Sequence, residues 1–216
     1  MQVSESPVIE LHFPVRGDEF PSDHAYSLYG SISRVIPDAH NAEWLGIHTI
    51  KGRRSSQGRI QLSSWAKLRV RLPLVKVPTL TPLAGAKLDI AGHQIRCGIP
   101  EIHQLSSSST LRSRLVIINI KDVKGRTLEP DDFMTSLTKR LRELEIDAIA
   151  ELEFAPRGER GPFARRVLKV KNTVLPGYGV ILRQLTEKDS LRVQELGLGG
   201  RRRMGCGLFL PLRGED

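Results

Sequence analysis

Ser106–Thr110 (SSSST) is a run of five small polar residues with nothing to bury, and the pattern of the chain begins again after it. Before it, Val8–Val15 (VIELHFPV) alternates apolar and polar residues and reads as a strand. Ser22 or Asp23 can cap a helix in which Tyr26, Tyr29, Ile32, Ser33 and Ile36 recur at helical spacing. Pro37 ends that helix and opens a short second one over Asp38–Leu45, with Gly46 as its C-terminal cap. Beyond His48 the pattern is strand-like, with RIQLS, AKLRVRLPL and AKLDIAGHQIRCGI punctuated by Pro and Gly.

After the serine run, Arg112–Val123 reads as a strand and Pro130-Asp131-Asp132 opens a helix with the ridge Phe133, Leu137, Leu141 and Leu144. Strands follow at Ala148–Phe154, Arg166–Val174 and Gly179–Leu185. Thr186 with Asp189 caps a helix that runs into Leu191–Leu196, and Leu208–Leu210 reads as a last, buried strand. Strand, helix, then several strands, twice over, is the order of two tandem ferredoxin-like β-α-β-β-α-β units. The expected fold is therefore α+β, with domains over 1–105 and 106–216. No fixed-length sequence repeat accompanies the pattern.

The chain has 216 residues, and its 33 Lys and Arg exceed its 24 Asp and Glu, for a net charge of +9. Such an excess favours polyanions or anionic surfaces as partners. No apolar run approaches the roughly 20 residues of a membrane span. Met1–Pro7 is acidic and polar, unlike a signal or transit peptide. These features lead us to expect a soluble, cytoplasmic protein with no membrane partner. Cys97 and Cys206 lack the neighbours of a zinc site and read as buried free thiols in a reducing compartment. No carboxylate or Cys/His cluster has metal-ligand spacing, so neither a metal nor another cofactor is expected.

Leu196–Pro211 (LGLGGRRRMGCGLFLP) is the least ordinary stretch. Gly197, Gly199, Gly200, Gly205 and Gly207 permit positive φ and let backbone N–H groups approach a phosphate closely. Arg201, Arg202 and Arg203 add planar donors that match phosphate geometry. The competing reading is a loose turn with a solvated charge run.

The spacing Gly197-Leu198-Gly199, five residues, Gly205-Cys206-Gly207 resembles the C-terminal glycine-rich loop of the RAMP superfamily, the RNA-binding proteins of CRISPR systems. The stretch FPSDHAYSLYGSISRVIPDAH followed by GIHTIKG is similar to the first helix and following segment of the Cas6 family of CRISPR repeat endoribonucleases. Together they resemble its small MYXAN-type branch, nearly end to end. The resemblance implies metal-free cleavage of precursor CRISPR RNA into guide RNAs. The RNA's own 2′-hydroxyl attacks the adjacent phosphate, leaving a 5′-hydroxyl and a 2′,3′-cyclic phosphate. That reaction needs a base, an acid, positive charge for the phosphorane and in-line alignment. The implied partners are the CRISPR repeat stem-loop and other subunits of a type I effector complex.

His48, in GIHTIKG, falls where the resemblance places the catalytic histidine and is the first choice for acid or base; His40 is the second. Lys51 follows as a phosphorane-stabilising charge or an ordinary surface charge. Ser33 matches the first-helix position that carries a catalytic Tyr or His in other branches. A serine is a poor base, which sets this chain apart. His24 reads as a capping or packing residue, His12 as structural, His93 and His103 as ordinary surface or core residues, and Tyr26 and Tyr29 as core. For RNA binding, Lys139, Arg140 and Arg142 lie off the ridge of their helix and face either a groove or water. Arg157, Arg160, Arg165 and Arg166 resemble a basic hairpin tip. Aromatic residues are only 5% of the chain, so shape and phosphate recognition of a hairpin fits better than broad base stacking. The alternative is a non-catalytic RNA-binding subunit of a CRISPR effector complex, which would need no placed histidine. An unrelated ribosome-associated RNA binder is disfavoured by the end-to-end resemblance.

Overall fold

The computed structural model describes residues 6–55, 58–118, 128–157 and 161–212. The chain divides into two compact units, Met1–Leu105 with Arg203–Gly205, and Ser106–Arg202 with Cys206–Asp216. No helix among the described residues is long and apolar enough to cross a membrane.

In the first unit the strand read from VIELHFPV is β1 (Val8–Arg16). Its alternation sends Ile9, Leu11, Phe13 and Val15 into the core. A small three-stranded sheet joins β2 (Glu19–Pro21), β4 (Arg53–Arg54) and β5 (Arg59–Gln61). Helix α1 (Ala25–Val35) buries Leu28, Tyr29 and Ile32 and packs beside β7 (Lys87–Ile90). The main sheet continues with β3 (Gly46–Ile47), β6 (Lys67–Pro73), β8 (His93–Cys97) and β9 (Glu101–Gln104), and α2 (Val77–Leu80) follows β6. β1 lies inside this sheet, antiparallel to β6 on one side and to β9 and β8 on the other. The register sets Leu11 opposite Val70 and Phe13 opposite Leu68, which aligns the apolar faces of the two strands.

Two expectations for this unit are corrected. Neither Ser22 nor Asp23 caps α1; His24 holds the N-cap position and makes no side-chain cap. The second helix expected over Asp38–Leu45 shrinks to a 3-10 turn at Pro37–His40. The carbonyl of His40, which a longer helix would spend on a backbone amide, instead accepts a hydrogen bond from the Tyr29 hydroxyl at 2.8 Å.

In the second unit β10 (Leu111–Val116) lies between β13 (Thr173–Arg183) and β14 (Leu210–Pro211), and β11 (Ile149–Leu152) lies beyond β13. β12 (Arg165–Val170) forms a hairpin with β13. Helix α3 (Pro130–Glu143) starts on its proline, and its ridge residues Phe133, Leu137 and Leu141 are buried with Leu111, Val180 and Leu182. Helix α4 (Glu187–Leu196) is capped as the sequence suggests, the Thr186 hydroxyl accepting from the Asp189 N–H at 3.1 Å. The expected strand beyond the loop is short: Leu208 and Phe209 are buried, but pairing begins only at Leu210. Positions 119–123 of the expected Arg112–Val123 strand lie outside the described residues. The fold is α+β, and antiparallel sheets that hold the first strand inside are consistent with a ferredoxin-like architecture.

Candidate active site

Glu10 and His12 point away from the apolar side of β1, yet Glu10 is only 3% exposed. Arg71 stands opposite it on β6, fully buried, and donates to Glu10 from Nε at 3.1 Å and from its terminal nitrogen at 2.6 Å. Arg69 donates from Nε at 3.0 Å to the other carboxylate oxygen, which also accepts from His12 Nε2 at 2.9 Å. The His12 ring stacks at 3.9 Å on that of His103. Burial alone would raise the Glu10 pKa, but the contacts of His12, His48 and Arg71 outweigh it and hold the carboxyl well below the usual range.

His48 belongs to this network. Its N–H donates to the Arg69 carbonyl at 2.9 Å, which brings its Nε2 to 3.0 Å from Glu10 Oε1. Nε2 has no hydrogen-bond partner among the described residues, so its contact with Glu10 is electrostatic. Burial pushes the His48 pKa down to about 4; Glu10 opposes this, while Arg71 and Arg69 add to it. At neutral pH His48 is a neutral, buried imidazole wedged between an anion and two cations.

His40 has the opposite setting. It ends the 3-10 turn after α1 and is exposed. The Tyr29 hydroxyl, one proton in hand, donates it to the His40 carbonyl and lies 3.2 Å from His40 Nδ1. That pairing assigns the imidazole proton to Nδ1 and leaves the Nε2 lone pair for an incoming group. The Tyr29 and His40 rings stack 5.9 Å apart at 24°. Arg203 completes the group: its guanidinium lies 5.5 Å over the Tyr29 ring and donates to the same His40 carbonyl.

The remaining sequence candidates divide by burial. His24 is buried: Nδ1 donates to the Pro21 and Ser22 carbonyls at 3.1 Å, and Nε2 accepts from the Ile50 N–H at 3.0 Å. Nε2 thereby braces the segment that carries His48 and Lys51, while Nδ1 ties the ring to the chain just before α1. Ser33 lies one turn beyond Tyr29 on α1, on the same face, and its buried hydroxyl has no hydrogen-bond partner among the described residues. Lys51 is exposed. Burial pushes the thiols of Cys97 and Cys206 up to about 12, which makes them inert.

In the second unit Lys139, Arg140 and Arg142 are exposed on α3, with Arg140 3.0 Å from Glu143. Arg157 and Arg165 are exposed, and Arg160 lies outside the described residues. Arg166 is half-buried and donates to Glu153 at 2.8 Å and to the Arg114 carbonyl at 3.0 Å. The glycine-rich segment is tightly packed rather than loose. Leu198 N–H donates to the Gly207 carbonyl at 3.1 Å, Gly207 N–H to Leu115 at 2.8 Å, and Gly200 N–H to Ile117 at 2.9 Å. These N–H groups, which the sequence offered to a phosphate, are taken up by the chain itself. Gly199 has φ +78°, and a Cβ there would collide with the Ile117 carbonyl, so glycine is required for close approach. The three arginines part ways: Arg201 is exposed, Arg202 donates to the Glu195 carbonyl near the end of α4 at 2.7 Å, and Arg203 joins Tyr29 and His40.

Sequence reasoning missed Tyr29 and Arg203 as partners of His40. A tyrosine read as core carries a hydroxyl that needs a partner, which was a usable signal; Arg203, 163 residues from His40, offered none.

Comparison with known proteins gives this geometry a context. Residues 9–214 match the family described as Cas6 Crispr. The CRISPR-associated endonuclease Cas6 of Myxococcus xanthus is 33% identical over 203 residues, covering 94% of this chain and 81% of that protein. Two solved structures share the fold. A Cas6-related protein from Pyrococcus furiosus has 16% identity, a TM-score of 0.68 and coverage of 97% of this chain and 100% of that one. A RAMP protein binding different RNA substrates has 15% identity, a TM-score of 0.69 and coverage of 95% and 99%. A family match over almost the whole chain, joined to a relative at one-third identity, places this chain in the Cas6 family of CRISPR-associated endoribonucleases.

Proposed function

We propose that this protein is a metal-independent endoribonuclease that binds the CRISPR repeat stem-loop and cuts precursor CRISPR RNA into guide RNAs. The 2′-hydroxyl attacks the neighbouring phosphorus and the 5′-oxygen leaves, giving a 2′,3′-cyclic phosphate and a 5′-hydroxyl. The observation that carries this reading is the exposed His40 imidazole, held through Nδ1 by Tyr29 in a chain of the Cas6 family. His40 Nε2 takes the 2′-hydroxyl proton, and the resulting imidazolium is suited to protonate the leaving oxygen. The burial of His48 and its low pKa favour His40 over His48 for this work. Lys51, exposed beyond His48, supplies charge to the phosphorane.

The chain is read as two tandem ferredoxin-like domains over 1–105 and 106–216, the first carrying the reacting groups. Exposed Arg201, Lys139, Arg140, Arg142 and Arg165 contact RNA phosphates, as the +9 charge suggests. Other subunits of a type I effector complex are the expected protein partners.

The test is cleavage of a labelled repeat hairpin in chelator. Wild type should cut, and His40→Ala should bind but cut about 100-fold more slowly, the usual scale for a lost acid or base. A single 2′-deoxy residue before the cut should abolish cleavage. Cutting that needs added magnesium, or that survives the deoxy substitution, would refute the mechanism. Binding without cutting would return the protein to the non-catalytic class.

A further inference from the structure

We infer that Arg203, from the glycine-rich segment, is a positioning residue for the chemical step rather than a phosphate contact. This rests on the reading of His40 as the acid-base group. The His40 carbonyl accepts from two side chains, the Tyr29 hydroxyl at 2.8 Å and the Arg203 guanidinium. A carbonyl oxygen has two lone pairs, so this pair of donors fills it. The same guanidinium lies 5.5 Å over the Tyr29 ring, and the Tyr29 hydroxyl is the partner of His40 Nδ1. One planar cation thus clamps both the backbone of the histidine and the side chain that sets its tautomer.

The clamp has a fixed base. Arg203 is half-buried, and its neighbour Met204 is buried, unlike exposed Arg201 two residues earlier. Gly205 has φ +75°, and a Cβ there would stand 3.1 Å from Thr49 Cγ2, beside the segment that carries His48. Arg203 is therefore anchored, with one guanidinium nitrogen committed to the His40 carbonyl and its planar face set over the Tyr29 ring. His40, by contrast, is exposed at the end of a 3-10 turn, and among the described residues the side chains that hold it are Tyr29 and Arg203. An acid or base must lie within hydrogen-bond reach of its proton, and a misplacement of about 1 Å can cost about 100-fold in rate.

The experiment is single-turnover cleavage of the labelled repeat hairpin in chelator, with RNA affinity and its salt dependence measured on the same proteins. Arg203→Ala should slow the rate at saturating protein by about 10- to 100-fold. It should leave affinity and salt slope as in wild type. Arg203→Lys should recover part of the loss, since it restores a donor and a cation but not the planar fork. Arg203→Ala should add nothing to His40→Ala, because its effect passes through that histidine. Tyr29→Phe, which keeps the ring but drops the hydroxyl, should show the same rate defect and be non-additive with Arg203→Ala. It carries the test should Arg203→Ala fail to fold.

An Arg203→Ala protein with weakened binding, a salt slope lower by about 0.7–0.9 and an unchanged saturated rate would overturn the inference. The function of the protein would stand in that case. Full additivity with His40→Ala would overturn it as well. An inactive wild type, or a His40→Ala protein that cuts normally, would overturn the underlying reading of the site and this inference with it.

Discussion

Acid should destabilise the first unit through a single residue, His48. Burial holds its pKa at about 4, against 6.5 for a free histidine. Between those values the unfolded chain carries the proton and the folded one does not. Stability is therefore fully present above about pH 6.5 and falls as the pH drops towards 4. At about 1.4 kcal/mol per pH unit the loss across that window is about 3 kcal/mol. His48→Gln keeps a polar group but removes the titration. The assay is urea unfolding of both proteins at intervals between about pH 7 and pH 4, and the quantity read is the difference between the two stability curves. Carboxylates that titrate in the same range cancel in that difference. The wild-type curve should fall away from the variant's as the medium acidifies. Parallel curves would refute the reasoning, because they would mean that His48 titrates in the fold as it does in the free chain. A neutral acid-base role for His48 would then regain its standing.

Glu10→Gln should be more costly than a surface change, because it leaves Arg71 fully buried without its anion. A loss of about 3–5 kcal/mol is expected, read by calorimetry as a fall in Tm of roughly 10 °C, and an unchanged Tm would refute it. Gly199→Ala should destabilise the second unit by about 1–3 kcal/mol, since the new Cβ meets the Ile117 carbonyl at φ +78°; full stability in urea would show that the segment yields easily. Arg201→Ala should weaken RNA binding and lower its salt slope by about 0.7–0.9, and an unaltered slope would mark this exposed arginine as merely solvated.

The parts of the fold that were legible are those whose signals are local. Pro130 at the first position of α3, the ridge Phe133-Leu137-Leu141 and the Thr186 cap of α4 each act within a few residues. They need no knowledge of what lies across the sheet. β9 was not legible, because all four of its residues are exposed and their side chains carry no burial pattern. Its strand conformation comes from backbone pairing with β1, Glu101 opposite His12 and His103 opposite Glu10. Side-chain periodicity is blind to such a strand. The helix expected after Pro37 gives way to a 3-10 turn that ends at His40, whose carbonyl accepts from Tyr29, eleven residues earlier and so outside any local pattern.

The two histidines show what a sequence cannot display. His40 and His48 sit eight residues apart in one short segment, and the family resemblance puts His48 first, but nothing in the sequence reports their burial. What separates them is register. The His48 N–H is hooked to the Arg69 carbonyl, which turns the ring towards Glu10 and under cover. Glu10 itself occupies a polar position in an alternating strand and is nonetheless buried. His40 ends a turn whose carbonyl is claimed by side chains, so its ring stays exposed. The arginines repeat the lesson. Three identical neighbours meet an exposed position, a helix end and an aromatic ring. Composition marks where positive charge is concentrated, but the backbone between Gly199 and Gly205 decides which charge is exposed and which is spent on holding His40. Affinity for RNA and rate of cutting should therefore be separable by substitutions two residues apart, at Arg201 and Arg203.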